Sequence, residues 1–274
     1  MKKKGTTIMK IGFIGCGNMG SALVKAVAEC VCEKELLLCD HHEERTKALA
    51  TLCDGSFCGL ETVASESDIL FLGVKPQVLD TLAYELCPLL EARADAPVLV
   101  SMAAGVSLWS LGRMFPDGAK LVRIMPNLPV SIGAGVILYC AEETVSEKEL
   151  STVLALLEKA GSLVPVPESK FDAATSVSGC GPAFAAMFAE ALADGAVQCG
   201  LPRKTALTLA AETLKGTSEM LLQTETHPDA LKDAVCSPGG TTIEGVLALE
   251  NGGFRAAAAN AVIAAFKKTL ALQE

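Results

Sequence analysis

Over the first 165 residues, short apolar runs alternate with amphipathic stretches. IMKIGFIG is followed by a helical pattern from Asn18, LLLC by one from Glu43, and DILFLGV by one from Pro76, after which comes PVLVSM. That alternation predicts a parallel sheet with crossover helices. After Val166 the β-like runs stop, and Ala, Leu, Met and Glu dominate long helical patterns at about 182–199, 202–222 and 243–272. The expected architecture is therefore two domains, 1–165 and 166–274, with the boundary set by the change of pattern alone. The late helices carry alanine-rich faces, as in PAFAAMFAEALADGAVQ and FRAAAANAVIAAF. Flat faces of this kind suit close packing on a symmetry mate; the alternative reading is that alanine supplies helix propensity within one chain.

Composition narrows the class. Half of the 274 residues are apolar and a fifth charged, enough to bury a sizeable core. With 23 basic against 32 acidic side chains, a net charge of −9 gives no basic field for phosphate backbones or anionic lipid, so neither nucleic acid nor membrane is an expected partner. The 11 cysteines are scattered, odd in number and without paired metal-ligand spacing, so no metal site is expected. Cys30 and Cys32, the closest pair, would point apart on a helix. Reduced thiols acting as small core residues, in a cytoplasmic protein, are the simpler reading. Lys2, Lys3 and Lys4 precede a strand and a glycine cluster in place of a signal-peptide core. The longest uncharged runs are broken by Pro126, Asn127, Pro129 and Gly133, against a spanning helix.

GFIGCGNMG places Gly15, Gly17 and Gly20 as G-x-G-x-x-G directly after a strand and at a helix start. In that context Gly15 permits the tight turn, Gly17 lets the backbone approach a pyrophosphate, and Gly20 lets the helix lie close on the sheet. Asp40 stands at the end of the second strand, where an acid commonly takes the ribose hydroxyls of NAD. His41, His42 and Arg45 beside it are alternative acceptors of a 2′-phosphate, or a solvated polar turn. FLGVKPQ puts Gly73, Val74, Lys75 and Pro76 on the carboxyl edge of the sheet; Lys75 either approaches the cofactor or is a charge at a helix start. The small residues of SMAAG, Ser101 to Gly105, leave room for a nicotinamide ring.

Taken together, GFIGCGNMG, FLGVKPQ, SMAAGV, VRIMPNLPV, SVSGCGPAF and LKDAVCSPGGTTIEGV resemble the pyrroline-5-carboxylate reductase family, in order from about Ile11 to Phe266. The resemblance implies an α/β fold, a Rossmann-type dinucleotide-binding domain followed by an all-helical dimerisation domain. It also implies reduction of 1-pyrroline-5-carboxylate to L-proline with NADPH or NADH, the last step of proline biosynthesis. Cofactor contacts are implied from the Gly15 to Met19 loop (Gly15, Cys16, Gly17, Asn18, Met19), from Gly73 to Pro76, and from Met102, Ala103 and Ala104; Ile14, Gly20, Asp40, His41 and Asn127 complete the expected cofactor site. Substrate contacts are implied from Ser237, Gly239, Gly240, Thr241 and Thr242, with Thr175 and Glu168 nearby. The family builds its site at a dimer interface of interlocked helices, with dimers often assembled into larger rings such as decamers. This sequence departs from the family at His41 (arginine in many relatives), Leu60, Ala234, Phe184 and Cys180; the first weakens the expected grip on a 2′-phosphate.

The residues suit the chemistry. Hydride transfer to a protonated C=N needs placement more than a strong acid, and only three histidines exist: His41, His42 and His227, the last at a helix start with Thr226 as expected N-cap. In CSPGGTTIE, Thr241 and Glu244 have capping-box spacing, predicting a helix just after Gly239–Gly240 with free amides for a carboxylate. Thr242 is the expected hydrogen-bond partner of the ring nitrogen; with Ser237 and Thr175 it makes up the expected catalytic set. Pro182 suits the first turn of the long helix, and Gly179 and Gly181 serve either substrate or helix packing. Asn127 either lines the nicotinamide pocket or ties down its own turn. Two rivals stand: a β-hydroxyacid dehydrogenase with Lys204, Lys215 or Lys232 as catalytic lysine, and a dinucleotide-sensing protein without catalysis.

Overall fold

The computed structural model describes residues 8–30 and 34–271; Lys2, Lys3, Lys4 and Cys32 lie outside them. The first half alternates as the pattern requires: β1 (Met9–Ile14), α1 (Asn18–Cys30), β2 (Lys34–Cys39), α2 (Glu43–Leu52), β3 (Ser56–Phe57), α3 (Leu60–Glu66), β4 (Ile69–Leu72), α4 (Pro76–Glu91), β5 (Val98–Ser101) and α5 (Leu108–Met114). Next come β6 (Lys120–Pro126), β7 (Gly135–Ala141), α6 (Glu147–Leu157), β8 (Gly161–Pro165) and α7 (Phe171–Ser178). The remaining elements are helices: α8 (Gly181–Gln198), α9 (Arg203–Thr224), α10 (Pro228–Val235), α11 (Thr241–Asn251) and α12 (Phe254–Leu270).

The strands form one sheet in the order β3-β2-β1-β4-β5-β6-β7-β8, parallel throughout except where β6 meets β7. Crossover helices cover both faces, so the strands are buried on both and read as continuous apolar runs. Ile11, Phe13, Ile69 and Phe71 pack on one face with α1 and α6, while Ile14, Leu70 and Leu72 pack on the other with α3, α4 and α5. Phe13 and Phe71 stack at 4.5 Å. The chain order reverses between β2-β1 and β4, which makes the carboxyl edge of β1 and β4 the crevice where open α/β sheets take their ligands.

Two compact units result: one runs up to Gly179 and takes in the residues from Phe266 onward, and the other is Cys180–Ala265. The second unit is all-helical, as expected, but its sequence signals differ in three places. The single helix expected over about 243–272 is two, α11 and α12, because the chain turns through Gly253 at φ +72°. The N-cap of α10 is His227, whose ring accepts from the Asp229 amide, in place of Thr226. Finally, α11 is capped by Gly240 without a side-chain bond, so Thr241 and Glu244 do not form a capping box.

A capping box does form in α6, where Ser146 and Glu149 exchange bonds and Glu149 also takes Lys120 Nζ at 2.6 Å. Lys120 and Ser146 together hold the Glu149 carboxyl down at about 2. A depressed folded-state value means the stabilisation is complete above the unfolded carboxyl's range and is lost as pH falls from about 4.5 toward 2. Glu149→Gln is therefore expected to lower the urea midpoint at pH 7, with the gap to the parent shrinking to roughly a quarter at pH 2.5. Equal gaps at both pH values would refute the assignment.

Candidate active site

The first βα turn is built by interlocking backbones. Gly15 sits at φ +93°, its amide donating to Cys39 O at 2.9 Å, and a Cβ there would lie 2.6 Å from the Gly73 carbonyl carbon. A Cβ on Gly20 would lie 2.2 Å from Gly15 O, so α1 can seat on the loop only with glycine at that position. Gly17 differs: a Cβ there would meet nothing within 4 Å. It faces open space above the first turn of α1, whose amides have no intrahelical acceptor. That geometry fits a dinucleotide pyrophosphate, with Gly17 as the point of close approach.

Gly15, Cys16, Gly17, Asp40, His41, Gly73, Val74 and Lys75 line one cleft of about 440 Å³, joined by His42, Arg45 and Val78. Ile14 is buried in the sheet, and Pro76 opens α4 with Lys75 as its N-cap. Asn18, Met19 and Gly20 open α1. Asp40 Oδ2 accepts from the Cys16 amide at 2.6 Å and Oδ1 from the His42 amide at 2.9 Å. Burial, with Asp40 close by, pushes the Cys16 thiol up to about 12, so it stays protonated and inert.

Met102, Ala103, Ala104 and Asn127 are not among the residues lining that cleft. Ala103 turns into the core while Ala104 is exposed. Asn127 is buried with both ends engaged: Nδ2 donates to Ser178 O at 2.9 Å and Oδ1 accepts from the Val136 amide at 2.8 Å. Of its two expected uses, the side chain shows the tie between its own turn and α7.

Arg123 was not singled out by sequence. It lies in β6 with its side chain 4% exposed, its guanidinium bonded to Glu168 at 2.9 Å and Asp172 at 3.0 Å and stacked on Phe171 at 4.2 Å. Glu168 Oε1 also accepts the Leu108 amide at the start of α5, and Oε2 accepts the Cys140 thiol. Burial and this carboxylate raise the Cys140 thiol well above its ordinary range. Glu168 thus knits β6, β7 and α5. Thr175 directs its hydroxyl to Phe171 O within α7. The available signal was a lone arginine inside the apolar strand LVRIMP.

In the helical unit, Ser237 O accepts the Gly240 amide at 3.0 Å, and Gly239 takes φ +63°. A Cβ on Gly240 would fall 2.2 Å from Ser237 Oγ, so the turn is tight. It delivers the chain into α11 with Thr241 exposed, Thr242 half-buried and the first-turn amides open. Lys232 is bound by Asp229 and Asp233, each at 3.3 Å, and hydrogen bonding to both raises its pKa. Among the described residues, no group of three acidic, histidine or cysteine side chains is placed to hold a metal ion, and no helix is long and apolar enough to cross a membrane.

A family model described as pyrroline-5-carboxylate reductase dimerisation matches residues 168–272, and one described as NADP oxidoreductase, coenzyme F420-dependent, matches residues 10–105. A pyrroline-5-carboxylate reductase of Synechocystis is 41% identical over 264 residues, covering 95% of this chain and 97% of that protein. The chain belongs to the pyrroline-5-carboxylate reductase family. A second relative with that name, from Methanosarcina acetivorans, is 41% identical and covers 95% of this chain and 96% of its own. Among solved structures, a Plasmodium falciparum pyrroline carboxylate reductase with NADP bound has TM-score 0.86 and 31% identity, covering 98% of this chain and 100% of that one. The α/β fold with an N-terminal dinucleotide-binding domain and a helical dimerisation domain agrees with the sequence expectation.

Proposed function

We propose that this reductase-family chain converts 1-pyrroline-5-carboxylate to L-proline, taking hydride from NADPH or NADH. The observation that carries the substrate half is the Ser237–Thr242 turn, tight at Gly240 and opening onto the free amides of α11. Those amides receive the substrate carboxylate. Thr242 hydrogen-bonds the ring nitrogen, and Ser237 adds a second hydroxyl. The bound dinucleotide supplies the hydride; the protein's part is to hold the iminium carbon in place, since the protonated imine is already an electrophile.

The β-hydroxyacid alternative wants a lysine free to move a proton. Lys232 is held charged by two aspartates, and Lys215 is 78% exposed and beside Glu212. Neither is in the desolvated setting that tunes a catalytic lysine. The helical unit also supports a homodimer. Its α11 and α12 bury no residue within the chain, and Met187, Leu209 and Met220 stand half or more exposed. Assembly of dimers into a ring such as a decamer, in the cytoplasm, completes the proposal.

The test is loss of nicotinamide absorbance with pyrroline-5-carboxylate and either cofactor, proline being assayed in parallel. Ser237→Ala combined with Thr242→Val is expected to lower turnover roughly ten- to hundredfold, as losing hydrogen bonds to a charged substrate does, with cofactor affinity unchanged. A cofactor-binding protein that oxidises neither dinucleotide would end the imine reading; turnover unaffected by the double substitution would remove these two residues from it.

A further inference from the structure

We propose that Cys39 and Cys58 form a reversible oxidation site, closed to a disulfide by small-molecule disulfides, and that closure loosens the glycine loop and weakens dinucleotide binding. The pairing stands on the sheet geometry; its consequence rests on the dinucleotide reading above.

Strands β2 and β3 run parallel, with Leu37 opposite Ser56 and Leu38 opposite Phe57. The Cys58 amide donates to Leu38 O at 2.9 Å, which carries the ladder one step further and sets Cys39 opposite Cys58. Side chains in register on neighbouring strands share a face. Both of these pack against the apolar cluster that α3, α4 and α5 cover. Strand spacing puts their Cα atoms about 4.8 Å apart, inside the range of about 4.4–6.8 Å that a disulfide spans. Neither thiol is fully buried, so an oxidant in solution reaches the pair. Cys16, also close to Cys39, is buried and packs on the opposite face.

A disulfide wants its Cβ atoms about 3.5–4.5 Å apart, closer than the strand spacing, so bonding draws the two strands together. The two-residue β3 lies on the edge of the sheet and is followed by Gly59, which leaves it room to move. The other end of the bond bears on the cofactor site. Cys39 O accepts the Gly15 amide at 2.9 Å, and its neighbour Asp40 accepts the Cys16 amide at 2.6 Å. A shift at Cys39 is thus passed to two amides of the glycine loop. The closed ring also encloses α2, whose Arg45 lines the cleft.

The chemistry is thiol–disulfide exchange. The Cys58 thiol loses its proton and attacks one sulfur of a small disulfide such as oxidised glutathione, expelling a thiolate and leaving a mixed disulfide. The Cys39 thiolate then attacks the Cys58 sulfur and expels the second small thiolate. Two protein thiols are oxidised, one small disulfide is reduced to two thiols, and both protons end on the released thiols. Burial, then Asp40 and the Cys58 thiol, raise the Cys39 pKa; burial, then Glu66 and Glu35 against Lys10, raise that of Cys58. Exchange is therefore slow, and the pair stays reduced until the surrounding disulfide accumulates.

Purified protein held with oxidised glutathione, digested without reduction and mapped by mass spectrometry, tests the site; NADPH binding followed by nicotinamide fluorescence tests its effect. The expected result is a Cys39–Cys58 cross-link, an NADPH affinity weakened at least about fivefold, and recovery of both with dithiothreitol. Cys58→Ala is expected to bind NADPH within about twofold of the reduced parent and to keep that affinity in the oxidant. Absence of the cross-link, or Cys39 joined to Cys16 instead, would overturn the site. A cross-linked protein with parental affinity, or an equal loss in oxidised Cys58→Ala, would overturn the coupling. A reduced parent that binds no dinucleotide would instead overturn the reading on which the consequence rests, with the cross-link still deciding the pair.

Discussion

Arg123→Met is expected to lower the unfolding free energy of the sheet unit by about 3 kcal/mol, a loss typical of removing one partner from a buried ion pair. The guanidinium is almost wholly buried and is the cation against which Glu168 and Asp172 are placed. Methionine matches the volume over Phe171 but leaves two carboxylates facing each other's charge in a partly desolvated site. The figure sits at the lower end of the usual range because Glu168 keeps 33% of its side chain in water, where its charge is screened. Trp109, the single tryptophan, lies on α5 in the same unit and is a local probe for urea unfolding. Adding Glu168→Gln to Arg123→Met should recover part of the loss, since one unpaired charge is then removed. A single variant within about 0.5 kcal/mol of the parent would show that the cluster is not cooperative.

Gly20→Ala and Gly17→Ala are expected to separate fold from cofactor. At Gly20 the added methyl would overlap the Gly15 carbonyl oxygen, a backbone atom that cannot rotate away, so α1 must lift off the loop. A stability loss of about 1–3 kcal/mol follows, as for other overpacked sites, together with loss of dinucleotide binding. At Gly17 the methyl meets no protein atom and the residue is not in the left-handed region, so stability should be unchanged or rise by about 0.5 kcal/mol through the unfolded chain. Yet NADPH should bind at least about tenfold more weakly, because the methyl stands where the pyrophosphate approaches the backbone. Thermal melts beside fluorescence titrations check both. A Gly17→Ala protein with parental affinity would move the pyrophosphate away from this loop.

Much of this was legible before any coordinates. Gly15, Gly17 and Gly20 could be assigned distinct roles because their constraints are local: a positive φ, an open approach and a close helix contact are all written within one turn. The tight turn before α11 was legible for the same reason, from Pro238, Gly239 and Gly240 in succession. The cluster of Arg123, Glu168, Asp172 and Cys140 was not, since its members are separated by up to 49 residues and meet only when β6, β7 and α7 pack. The helix caps failed in a second way. Thr226 and Thr241 have the right chemistry at nearly the right place, but the backbone entered each helix one residue away, at His227 and Gly240.

By itself, the amino-acid sequence determined the parallel α/β half, the helical half and the glycine turn. Hydrophobic period and backbone permissiveness act over a few residues and leave little for tertiary context to reverse. Only the tertiary structure decided how the polar side chains are used. Asp40, expected at the ribose, lines the cleft while its carboxylate accepts the Cys16 amide, and Asn127, one candidate for the nicotinamide pocket, spans the Val136 amide and the Ser178 carbonyl. A buried polar group takes whichever partner the fold brings within about 3 Å, and that partner is chosen by packing at a distance in sequence that no local pattern records.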